Sequence, residues 1–131
     1  MLDTNTLILV DRLDADALPE EPVITAVTLA ELSVGPLVTD DDTERAARQA
    51  RLQEAEATFD PLPFDAAAAR AYGAVAASLR RAGRKPSARA FDALIAATAI
   101  ANELSVYTCN PKDFVGIAGL DVVTVPLPRA R

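Results

Sequence analysis

The sequence has no histidine and a single cysteine, Cys109, among its 131 residues. Lack of histidine excludes serine–histidine and cysteine–histidine catalysis, and with it a tetrahedral zinc site of the cysteine/histidine type. One cysteine excludes an intramolecular disulfide and fits a reducing, cytoplasmic setting. No apolar run approaches membrane-spanning length and no signal peptide is visible, so no membrane partner is expected. A phosphate loop of the Gly-x-x-x-x-Gly-Lys type is missing, which argues against nucleotide hydrolysis of that kind. Aromatic residues are few (Phe59, Phe64, Tyr72, Phe91, Tyr107 and Phe114) and most read as core, so base stacking is not expected. Positive charge is also short. A formal net charge of -6 argues against undirected binding to nucleic acid. It leaves room for a nucleic-acid enzyme, because acids gathered around a metal lower the charge too.

What the chain does have is apolar substance: 50% of its residues are hydrophobic. Residues 1–131 are expected to form one domain with a real core. Residues 1–3 read as a strand stub, with Asn5 or Thr4 capping a short helix. Residues 11–22 read as a helical turn and loop, and 23–25 as a short strand. A helix over 26–34 is stopped by Gly35-Pro36. Thr28 and Glu31 have capping-box spacing. A solvated helix over about 43–58 follows the acidic signal of residues 39–42. Pro61 and Pro63 restrict 59–64 to an edge strand or extended link. Asp65 caps a helix over 66–82, and Gly83 ends it. Residues 105–108 and 121–125 read as strands, Asp113-Phe114 as the start of a short turn or helix, and the tail 126–131 as loose. Short strands alternating with longer helices predict an α/β fold with a largely parallel sheet.

The most informative helix is 88–101. From Ala93 to Ala101 its only polar side chain is Thr98, so it belongs inside the protein. Yet Asp92 lies in its first turns, and a carboxylate removed from water costs several kcal/mol or so unless compensated. Other acids fall in related places. Asp3 follows the first strand stub, Glu31 lies in the early turns of the helix after 23–25, and Asp113 lies just beyond strand 105–108. Sites in such folds sit beyond the carboxyl ends of the strands, and the topology brings Asp3, Glu31, Asp92 and Asp113 to that edge. Taken singly, three have duller readings: Asp3 a helix cap, Glu31 half of a capping box, Asp113 a turn acid. Together they form a cluster whose repulsion a divalent cation relieves. Oxygen ligands alone suit magnesium or manganese, whose waters supply a nucleophile and whose charge offsets that developing on a phosphodiester.

Four stretches carry a resemblance. They are Leu2-Asp3-Thr4-Asn5, Thr28-Leu29-Ala30-Glu31-Leu32-Ser33-Val34-Gly35, Phe91-Asp92-Ala93-Leu94-Ile95-Ala96-Ala97-Thr98-Ala99 and Thr108-Cys109-Asn110-Pro111-Lys112-Asp113-Phe114. In this order they resemble the PIN-domain family of metal-dependent ribonucleases, and within it the VapC toxins of VapBC type II toxin–antitoxin pairs. The resemblance implies a single PIN-like domain, an α/β/α sandwich with a mainly parallel central sheet, that cleaves RNA with Mg2+ or Mn2+. It implies Asp3 and Asp92 as the direct metal ligands and Glu31 and Asp113 as completing the catalytic cluster. It implies that Asn5, Thr108 and Asn110 shape the hydrogen bonds around it. A homodimer and a cognate VapB-like antitoxin, which sets a basic side chain against the acids, are implied as well. One departure is visible. Such proteins carry several apolar residues before the first acid, whereas only Met1 and Leu2 precede Asp3. This points to a start further upstream or a clipped chain, and to a less rigid Asp3.

An acidic protein acting on RNA needs local positive charge. Arg80, Arg81, Arg84, Lys85 and Arg89 place five of the 13 basic residues directly before Asp92. Arg84, Lys85 and Arg89 are candidates for RNA phosphates; the alternative is a cationic helix end and a solvated loop. Two other functions compete. A catalytically silent PIN-like module binding RNA or an antitoxin is disfavoured because all four acids are present. A phosphatase or phosphoacceptor is disfavoured because Asp3-Thr4-Asn5 lacks the second acid of an Asp-x-Asp motif.

Overall fold

The computed structural model describes residues 1–128; the end of the tail read as loose, residues 129–131, lies outside the described residues. The helices are α1 (Thr4–Ile8), α2 (Ala26–Val34), α3 (Asp42–Thr58), α4 (Ala66–Arg81) and α5 (Ala90–Ala101), and the strands are β1 (Val106–Thr108) and β2 (Val122–Thr124). Helices α1 to α4 begin where a side-chain oxygen satisfies a free N–H of the first turn. Thr25 Oγ1 accepts from Thr28 N–H (3.1 Å), Asp41 Oδ1 from Thr43 N–H (2.9 Å), and Asp65 Oδ1 from Ala68 N–H (3.0 Å).

Two expected caps are corrected. The cap of α1 is neither Asn5 nor Thr4 but Asp3, whose Oδ1 accepts from Thr6 N–H (3.1 Å). Thr28 is not a cap at all. It lies inside α2, three residues past the true cap Thr25, so Thr28 and Glu31 form no capping box. The helix expected over 88–101 is regular only from Ala90; a 3-10 turn, Pro86–Arg89, leads into it.

Helix α4 ends as Gly83 predicts. Gly83 takes φ +76°, its N–H donates to Arg80 O (3.1 Å), and Arg84 N–H reaches back to Leu79 O (2.8 Å). This paired closure satisfies the last carbonyls. Helix α5 closes the same way without a glycine: Glu103 N–H donates to Ile100 O (3.1 Å) and Leu104 N–H to Ala99 O (2.9 Å), with Glu103 at φ +55°.

Strands β1 and β2 run parallel, with Val106 opposite Val122 and Thr108 opposite Thr124. Single contacts extend the sheet on the other side of β1. Leu2 bridges Tyr107 in parallel, Leu2 N–H donates to Val23 O (2.9 Å), and Thr25 bridges Leu62 in parallel. The extended segments therefore lie in the order 62, 23–25, 1–3, β1, β2. Their side chains alternate between faces, the period of a strand. Met1, Val23, Leu62, Val106 and Val122 join the cluster of Val75, Leu79, Ile95 and Ala99 from α4 and α5. Leu2, Ile24 and Tyr107 join Leu7, Leu32, Leu52 and Ala55 on the opposite face. The result is the expected α/β/α sandwich. Helix α5 packs chiefly against α4, and the hydroxyl of buried Thr98 donates to Leu94 O (2.9 Å). No helix among the described residues is long and apolar enough to cross a membrane.

Candidate active site

Asp3 ends the extended segment beside β1 and is only 3% exposed. While Oδ1 caps α1, Oδ2 accepts from Thr108 Oγ1 at 2.7 Å, and Thr108 Oγ1 accepts in turn from Asn110 N–H at 3.0 Å. The chain before Asp3 is tied to β1 by the Met1 ammonium on Ser105 O (3.0 Å) and by Tyr107 N–H on Met1 O (2.8 Å). The cap reading of this acid is correct, yet it accounts for only one of its oxygens.

Glu31 is half-buried on α2, and its Oε1 accepts from Thr4 Oγ1 at 2.6 Å. Burial pushes its carboxyl above the ordinary range; the Thr4 hydrogen bond opposes the rise and the charge of Asp3 adds to it. Asp92, in the first turn of α5, is pushed up to about 6. Burial is the largest cause, followed by the charges of Asp113, Glu31 and Asp3, with Arg89 pulling the other way. Asp92 therefore lies within electrostatic reach of the other three acids. Asp113 sits in the 3-10 turn Pro111–Phe114 and is 9% exposed. Its Oδ2 accepts from Asn110 Nδ2 at 3.0 Å, and its Oδ1 is paired with the Arg89 guanidinium.

Of the supporting residues, Thr108 and Asn110 bond directly to the acids. Asn5 is exposed and makes no side-chain hydrogen bond among the described residues. The basic run is anchored on the turn that carries Asp113: Arg84 Nη2 donates to Lys112 O (3.3 Å) and Arg89 pairs with Asp113, while Lys85 is exposed. Phe59, Tyr72, Tyr107 and Phe114 pack in the core as expected, whereas Phe91, next to Asp92, is 54% exposed. Threonines are the residues that motif reading underrated. Thr4 orients Glu31 and lies 3.0 Å from Thr28 Oγ1, and fully buried Thr6 accepts from Cys109 N–H (3.0 Å). The signal was there: small hydroxyl residues flanked by apolar ones and adjacent to acids.

Among the described residues no three Asp, Glu or Cys side chains stand close enough to form a closed ligand cage. The donor chemistry nonetheless suits a hard divalent cation. Every donor is a carboxylate oxygen, the acids repel one another, and Asp92 lacks a cationic partner of its own among the ion pairs of the described residues.

The PIN-domain family model matches residues 1–120. Ribonuclease VapC5 of Mycobacterium tuberculosis (strain ATCC 25618 / H37Rv) is 36% identical over 128 residues, covering 95% of this chain and 92% of that protein. The chain belongs to the VapC ribonucleases of the PIN-domain family. Ribonuclease VapC of Rickettsia bellii (strain RML369-C) is 32% identical over 108 residues, covering 82% of this chain and 79% of its own length. In three dimensions the chain is similar to a member of the VapBC family of toxin–antitoxin systems, VapBC-5 from Mycobacterium tuberculosis. The TM-score is 0.82 at 34% identity, over 95% of this chain and 96% of that one. VapC ribonucleases are hydrolases, the toxin half of VapBC toxin–antitoxin pairs, and they depend on metal as a family. The fold expected from alternating strands and helices is the fold observed.

Proposed function

We propose that this chain is an endoribonuclease toxin that hydrolyses RNA at Asp3, Glu31, Asp92 and Asp113, with Mg2+ or Mn2+ held by Asp3 and Asp92. The observation that carries this reading is the bonding of Asp3. It is a buried acid at a sheet edge whose two oxygens are oriented by Thr6 N–H and Thr108 Oγ1. Such fixed orientation suits a metal ligand or catalytic carboxylate better than a cap alone. When bound, the divalent ion supplies a polarised water and offsets charge on the scissile phosphodiester. The protein's share is placement. Thr108 and the α1 N–H hold Asp3, Thr4 holds Glu31, and Asn110 holds Asp113. Glu31, its carboxyl raised by burial, is nearer the working pH, where a carboxylate accepts a proton from water most effectively. Exposed Lys85 and partly exposed Arg84 and Arg89 are the candidates to meet RNA phosphates.

The partner is a VapB antitoxin, as the toxin–antitoxin pairing of its structural relative supports. The chain acts as a homodimer in the cytoplasm, folded as one domain over residues 1–131. The test is cleavage of total RNA by purified, antitoxin-free protein with Mg2+, Mn2+ or EDTA, alongside Asp92→Asn verified by circular dichroism. Discrete fragments that vanish with EDTA and with Asp92→Asn are expected. No cleavage by folded, metal-loaded protein would return the silent binding module.

A further inference from the structure

The Arg89–Asp113 pair is the one ion pair among the described residues that involves a site acid, and it joins two separate parts of the chain. Arg89 closes the 3-10 turn Pro86–Arg89 and directly precedes α5, on which Asp92 sits three residues further on. Asp113 belongs to the turn after β1. The carboxylate is almost enclosed, its side chain 11% exposed against 37% for the arginine. Asp113 has both oxygens occupied, one by Arg89 and one by Asn110. The same guanidinium is felt at Asp92, where it opposes the repulsion of the other acids. A chain that gathers four acids must neutralise some of their charge before any ion arrives. Here it does so with its own arginine.

We infer that Arg89 is the resident counter-ion of the acidic site and that a divalent cation and Arg89 compete for Asp113. Loading the site with a divalent cation weakens the Arg89–Asp113 pair, and removing the Arg89 charge strengthens cation binding. The arginine side chain is more than a third exposed, so it can leave without disturbing the core. Released, its guanidinium faces solvent at the rim of the site, where an RNA phosphate can replace the lost carboxylate. This gives Arg89 two alternative partners, an internal acid in the metal-free protein and an external anion in the loaded one. The inference rests on the proposed metal-dependent reading, but it concerns binding and can fail separately.

The test uses the full chain and Mn2+ or Mg2+ alone as the probe. Mn2+ affinity is measured by electron paramagnetic resonance for wild type, Arg89→Gln and Arg89→Lys. Removing one positive charge from the site should tighten Mn2+ binding on the order of tenfold in Arg89→Gln, while Arg89→Lys stays near wild type. Independently, the Arg89 Nε–H resonance of the wild type should shift during a Mg2+ titration with the midpoint of Mg2+ binding. Unchanged or weaker Mn2+ binding by Arg89→Gln would overturn the inference, as would an Arg89 resonance unmoved at saturating Mg2+. If either occurs while wild type still binds the ion and cleaves RNA, only the counter-ion role falls. If wild type binds no divalent ion and cleaves nothing, the functional reading falls with it.

Discussion

Replacing Asp92 by asparagine should stabilise the metal-free protein while abolishing its activity. Its carboxyl is pushed up to about 6 from an ordinary 3.8. A raised acid favours folding only while protonated: its contribution is complete below about pH 3.8 and is lost as pH rises through about 6. At neutral pH the folded state therefore carries a charge it would rather not hold. The gap corresponds to about 3 kcal/mol, and screening at the partly exposed side chain reduces this to about 2 kcal/mol. Asparagine keeps the shape and removes the charge. In EDTA at pH 7.5, Asp92→Asn should melt roughly 6 °C higher than wild type by circular dichroism or calorimetry. Most of the difference should vanish at pH 4. Adding Mg2+ should raise the wild-type melting temperature far more than that of the variant. A variant no more stable than wild type at pH 7.5, or equally stabilised at pH 4 and 7.5, would refute the electrostatic account of Asp92.

Three further outcomes follow from individual contacts. Thr108→Val removes the hydroxyl that bonds buried Asp3 Oδ2; it should cost about 1–3 kcal/mol in urea unfolding and lower RNA cleavage, because a buried acceptor loses its partner. Thr25→Ala deletes the true cap of α2 and should cost about 1 kcal/mol, distinguishable by thermal unfolding from the near-zero effect expected if Thr28 were the cap. Glu103→Gly relieves a left-handed residue at φ +55° and should stabilise the protein by about 0.5–1 kcal/mol in chemical denaturation, with cleavage unchanged.

Much of this molecule is readable from its residues, and the reasons are local. Asp65, Gly83 and the apolar run of α5 carry helix signals that depend on near neighbours, so α4 and the interior of α5 fall where expected. The capping-box spacing of Thr28 and Glu31 is matched by that of Thr25 and Thr28, so spacing alone does not choose between them. Only the backbone at Thr25, at ψ 160°, shows which one lies outside the helix. The sheet is harder still. Its regular strands are three residues long, and the rest is completed by single bridges at Leu2 and Thr25 that no periodicity predicts. Within the site, the acids were legible because Asp92 sits in so apolar a helix. Their partners were not, because Arg89 and Asp113, like Thr4 and Glu31, meet only once the chain has folded.

The most direct test of the account follows Mn2+ occupancy and RNA cleavage on the same protein. Electron paramagnetic resonance counts bound Mn2+ while cleavage is timed across a Mn2+ titration of wild type, Asp3→Asn and Asp92→Asn. The account predicts that cleavage rises with occupancy and that both variants, still folded, lose both. Full-rate cleavage in EDTA with no bound Mn2+, or undiminished cleavage by either variant, would contradict it.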